Sequence, residues 1–103
     1  MVLALKQIGP MQIPTNTSGT KDFPCKHEFG TKINQVDVVI KDFKLDQVGA
    51  AKPIDIVSVG ARQVRTSTTN NKEVTFTVRV NLQNGGNYTG EVSALIIADV
   101  VAP

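Results

Sequence analysis

Cys25 and His27 stand two residues apart and are the only cysteine and histidine in the chain. On a strand, that spacing turns both side chains to one face. A thiol beside an imidazole is a nucleophile–base pair in principle, and equally half of a zinc site. Zinc needs two more ligands, and the neighbourhood offers only Asp22 and Glu28, in no metal-binding spacing. The simpler reading is a small half-buried thiol next to a partly exposed ring. Asp37, Asp42, Asp46 and Asp55 are the other group able to do chemistry. Paired carboxylates bind calcium or share acid–base work, but the glycine-centred acidic loop of a calcium site is missing. Lys41, Asp42, Lys44 and Asp46 instead mix both signs, as a solvated strand end does. No lysine or helix pattern follows Gly85-Gly86, which therefore reads as a turn and not a phosphate loop. The expectation is a chain with no catalytic residue, no metal and no cofactor.

Contact chemistry remains. The arginines are Arg62, Arg65 and Arg79. Arg79 falls on the polar parity of residues 73–82. There it either faces a ligand or partner, since arginine is enriched at interfaces, or pairs with a carboxylate on the next strand. Tyr88, the only tyrosine, and Asn87 stand at the tip of an expected hairpin and are the other candidate contacts. Eleven basic and nine acidic residues leave a net charge of +2, dispersed along the chain. A nucleic-acid binder concentrates its cations and interleaves aromatics, whereas here there are four Phe, one Tyr and no Trp, so nucleic acid is not expected as a partner. MVLALKQIGP lacks the basic start and long apolar run of a signal peptide and is too short to span a membrane. That opening leads to the expectation of a reducing compartment and no membrane partner. A lone cysteine also leaves no intrachain disulfide.

Strands must position these residues. In EVTFTVRVNL, residues 73–82, Val74, Phe76, Val78, Val80 and Leu82 alternate with polar neighbours, the signature of a strand with one buried face. Val (14), Ile (8) and Thr (10) are abundant, and β-branched side chains favour a pleated sheet over a helix. Residues 34–46 begin with Val36, Val38 and Ile40 on one parity and slip to Val39, Phe43 and Leu45 on the other. Such a slip predicts a β-bulge, or a strand covered on both faces. Residues 54–64 read as a strand and 66–72 as a turn. Asn84-Gly85-Gly86-Asn87 reads as a hairpin turn, leading to a final strand over 90–100 whose second half is apolar on both parities. Residues 1–32 are irregular, punctuated by Pro10, Pro14 and Pro24, with a loop over 15–22 and one or two strands at most. The expected organisation is one domain: an extended N-terminal arm and loop over 1–32, and an all-β, antiparallel β-sandwich or jelly-roll-like core over 33–103.

From Gly19 to Asp99 the order of features resembles the H-type lectin family. It runs from SGT through two spaced phenylalanines to VDVVIKDFKLD, IDIVSVGARQV, VTFTVRVNL and a last strand ending LIIADV. The resemblance implies a six-stranded antiparallel sandwich that forms trimers and hexamers and binds N-acetylgalactosamine-type sugars at protomer boundaries.

Val2, Leu3, Leu5, Ile8, Met11 and Ile13 make the arm too apolar to be easily solvated, so they are expected to pack on a neighbour. The function expected is therefore a non-enzymatic, self-assembling structural module. Its class is a phage-type virion component, such as a capsid decoration, head or tail protein assembled in a bacterial cytoplasm. Its partners would be copies of itself, with a trimer favoured, and other assembly proteins. The alternative is a carbohydrate- or receptor-binding lectin-like module on the same sandwich, with a glycan as ligand.

Overall fold

Alternating apolar side chains demand a partner layer, and the chain supplies it by splitting its strands between two sheets. The computed structural model describes residues 2–14, 19–47, 56–83 and 88–102. They form β1 (Val2–Ile13), β2 (Gly19–Glu28), β3 (Ile33–Gln47), β4 (Ile56–Thr66), β5 (Glu73–Gln83) and β6 (Tyr88–Val100). Two antiparallel three-stranded sheets result, ordered β1-β6-β3 and β2-β5-β4, in a sandwich-like arrangement. The expected loop around Gly49 and Pro53, the turn at 84–87 and residues 15–18 lie outside the described residues.

The core lies between the central strands. Val74, Phe76, Val78, Val80 and Leu82 of β5 and Val92, Ala94, Ile96, Ala98 and Val100 of β6 are all buried in one cluster. The strict alternation of residues 73–82 thus produces the predicted buried face. These strands are long: the fifteen residues of β3, at about 3.3 Å each, span the 52 Å long axis of the molecule. The radius of gyration of 15.8 Å exceeds the roughly 13 Å of a compact chain this size, as an elongated prism requires.

Two expectations about connectivity differ from the structure. Residues 1–32 do not form an arm: β1 pairs with β6 from Val2↔Val100 to Ile13↔Gly90, and β2 pairs with β5 from Gly19↔Leu82 to Glu28↔Glu73. Residues 19–22, read as loop, begin β2. Nor do β5 and β6 form a paired hairpin, because each is the centre of its own sheet. Val74 to Leu82 and Val92 to Val100 give both an apolar inner face, and laying one against the other buries more than pairing them side by side.

The parity slip in β3 is a bulge. One extra residue at Lys41, between Ile40↔Ala94 and Asp42↔Ser93, lets Val36, Val38 and Ile40 and then Phe43 and Leu45 all face the core. β3 has a second shift between Ile33 and Gln35, β1 has one between Ile8 and Met11, and β4 has one between Arg62 and Arg65. In β4 the bulge holds Gln63 at φ 56, a left-handed conformation uncommon for a residue with a side chain. All the extra residues sit in edge strands. The remaining edge strand, β2, carries Pro24, which has no N–H to donate. Central β5 and β6 are uninterrupted. Beyond β6, the Val101 amide donates to Lys32 O at 2.9 Å and the Thr31 hydroxyl to Val101 O at 2.8 Å.

Two substitutions test this packing. Ile96 is fully buried at the centre of the first sheet. Ile96→Ala is expected to cost about 2–5 kcal/mol in urea unfolding, from lost transfer energy and the cavity left behind. A Cβ on Gly90, which lies between Ile13 and Leu45, would collide with the Lys44 carbonyl oxygen and lie 3.2 Å from Leu45 Cα. Both are backbone atoms with no room to rotate away, so Gly90→Ala is expected to cost about 1–3 kcal/mol by the same measurement.

Candidate interaction surfaces

The sheets present two outer faces of opposite character. On β2–β5–β4 the outward positions are polar, and register sets Arg79 of β5 directly opposite Asp22 of β2. The guanidinium donates from Nε to Asp22 Oδ1 at 2.8 Å and from Nη2 to Oδ2 at 3.0 Å. Those hydrogen bonds hold the Asp22 carboxyl below its usual range, and the carboxylate in turn raises Arg79. Of the two sequence readings of Arg79, the cross-strand pair is the one the structure places. Exposed pairs of this kind stabilise a fold only slightly. Tyr88 opens β6 opposite Gln47, but its side chain, like all of Asn87, lies outside the described residues.

The outer face of β1–β6–β3 is apolar at one end. Leu3 and Leu5 are 63% and 64% exposed and Val39 is 40% exposed. Register aligns Leu5 with Ile97 and Val39 with Leu95, so half-buried side chains of β6 complete the patch. The expectation that the second half of β6 is buried on both sides holds for the inner parity only. At the end of the patch, Asp99 lies between Leu3 and Gln35, beside a cavity of about 240 Å³. Its Oδ1 is buried without a hydrogen-bond partner. Nothing in the sequence singled out Asp99, because its setting is made by two distant strands.

The six apolar residues expected to contact a neighbour divide accordingly. Ile13 is 1% exposed, and Ile8 and Met11 pack against the core of their own chain. Pairing with β6 turns Val2 toward the Val100 side of the sheet. Leu3 and Leu5 alone of the six present most of their surface outward.

Cys25 and His27 do share one face of β2, as their spacing predicts, opposite Phe76 and Val74. The Cys25 thiol lies 3.4 Å from Phe23 O and 3.6 Å from Met11 Sδ, and burial pushes its pKa up, away from the reactive thiolate. The His27 ring stands edge-on to Phe29 at 4.7 Å. Partial burial and then the Lys6 charge hold it below the usual histidine value, against a small opposite pull from Glu28. Among the described residues no three His, Cys, Asp or Glu side chains come together as metal ligands. Of the four aspartates, Asp37 accepts from the Val38 amide at 2.8 Å, Asp42 stands exposed on β3 in register with Ser93, Asp46 lies 3.3 Å from Lys44, and Asp55 is outside the described residues.

The Asp22–Arg79 pair has a definite pH signature. With the carboxyl held low, the stabilisation is present above the ordinary carboxylate range and is lost as the pH falls through the lowered value. In an NMR titration the Asp22 carboxyl is expected to have a midpoint below that of a free aspartate, and Arg79→Gln to move it upward. No family model matches this chain, and no curated protein and no solved structure is found to resemble it.

Proposed function

We propose that this protein is a non-enzymatic structural module that assembles with copies of itself through the outer face of β1–β6–β3. The observation that carries the reading is the exposed apolar patch of Leu3, Leu5 and Val39 around Leu95 and Ile97. Contiguous apolar surface of this kind, rimmed by polar side chains, marks a contact site. The long side of the molecule, 52 by 20 Å, offers on the order of 1,000 Å², against about 800 Å² per partner in a standard stable interface. Bulges and Pro24 in the edge strands disfavour the alternative route, edge-to-edge strand addition. The assembly class that fits is a phage-type virion component, a decoration, head or tail protein, with other assembly proteins as further partners. Support for that class is the sequence itself: a Thr-, Asn- and Gln-rich surface without a recognisable catalytic set. The finer architecture we propose is H-type-lectin-like, in keeping with six antiparallel strands, and with it a trimer as the favoured oligomer.

Removing residues 1–14 would not test this, because it strips β1 and takes Ile13 out of the core. Two exposed substitutions do. The double variant Leu3→Asp with Leu5→Asp is expected to keep the β-sheet circular dichroism of the parent and to reduce its mass in light scattering to that of one chain. An unchanged oligomer, or a parent that is already monomeric at high micromolar concentration, defeats the proposal.

A further inference from the structure

The opposite face, β2–β5–β4, holds a second feature that the self-association reading does not use and on which it does not depend. Register places Lys26 of β2 and Arg65 of β4 on either side of Thr75 in β5. In the next outward row Pro24 and Arg62 flank Thr77 in the same way. Strands about 4.8 Å apart put the backbones of Lys26 and Arg65 roughly 10 Å from one another, so two long cationic side chains can lean over the threonine between them. A cavity of about 490 Å³ opens there, with Gln63, Thr75 and Thr77 in its lining and no acidic residue.

Its two cations are not held in ion pairs. Among the described residues neither Lys26 nor Arg65 has a carboxylate within ion-pair distance, whereas Arg79 on the same face is tied to Asp22. The remaining carboxylates of the face lie one row beyond, where Glu28 and Glu73 oppose each other. The β4 bulge that holds Gln63 at φ 56 also lies at this cavity, and backbone held in such a conformation clusters at ligand sites.

We infer that this groove binds a tetrahedral oxyanion ester carried on a sugar, with Lys26 and Arg65 clasping the anion and Thr75, Thr77 and Gln63 bonding its oxygens and neighbouring hydroxyls. Guanidinium and ammonium donors suit sulfate and phosphate alike. Nucleic acid is the poorer match. No aromatic ring stands on that face among the described residues to stack a base, and Phe76 in the cavity lining is buried at 3% exposure.

The test is calorimetric titration of the full chain with a heparin-derived hexasaccharide, the same hexasaccharide after desulfation, a phosphorylated oligomannose and a single-stranded oligothymidylate. Binding of the sulfated or the phosphorylated sugar is expected, the tighter of the two naming the ester, with the desulfated sugar at least tenfold weaker. Lys26→Gln with Arg65→Gln is expected to weaken that binding tenfold or more with its melting temperature kept, and Lys44→Gln on the other sheet to leave it unchanged. Failure of both esters to bind, binding that survives the double substitution, or oligothymidylate binding as tight as the sugar overturns the inference. If the double variant does not fold, Arg65→Lys and Lys26→Gln are measured singly; affinities equal to the parent in both overturn it too.

Discussion

One apolar layer, formed where the inner face of β5 meets the inner face of β6, is the constraint from which the rest of the molecule follows. Both strands are uninterrupted, with Val74 to Leu82 of β5 and Val92 to Val100 of β6 buried along the inner parity. Each edge strand has one hydrogen-bonded neighbour and depends on that layer for its place. β3 anchors itself with Val36, Val38, Ile40, Phe43 and Leu45, using the bulge at Lys41 to keep them inward. β2 has a thinner anchor, since Lys21 and His27 share its inner parity with Phe23 and Cys25. The edges tolerate bulges, a proline and a left-handed residue because distortion there disturbs a single ladder.

How much of this was legible follows from where each signal resides. The alternation of 73–82 and the slip in 34–46 are local, and both appear in the structure as read. The first two strands were hidden because prolines and glycines break their pattern and because their inner faces mix apolar residues with Lys6, Lys21 and His27. Sheet membership was hidden for a different reason. A short, glycine-rich connection between two alternating strands is what a hairpin looks like, and only the competition between pairing and facing decides otherwise. The surfaces were least legible of all. Arg79 acquires its partner through a register between residues 57 positions apart, and the apolar patch is assembled from three separated strands.

The two outer faces differ in chemistry, and the proposed self-association and the proposed anion binding use one each. One sheet offers an apolar area bordered by Asp37 and Asp99, and apolar area is what association through a broad flat contact requires. The other offers cations and hydroxyls in rows fixed by strand pairing, an arrangement with high positional precision because each side chain stands on rigid sheet. Because these faces point away from one another, occupation of the first leaves the second open to solvent. A thiol raised by burial and a partly covered imidazole lie between them, serving the packing of β1 against β2.

The pairing of Val2 with Val100 brings both ends of the described chain to one pole of a 52 Å prism. That has a mechanical meaning. A load applied across Val2 and Val100 would act at that single pole, opening the β1–β6 ladder like a zipper, one hydrogen bond at a time. A load running from pole to pole would instead set the same ladder in shear, with all its bonds resisting together. The β1–β6 register thus makes the expected resistance directional: lower across Val2 and Val100, and higher along the strands.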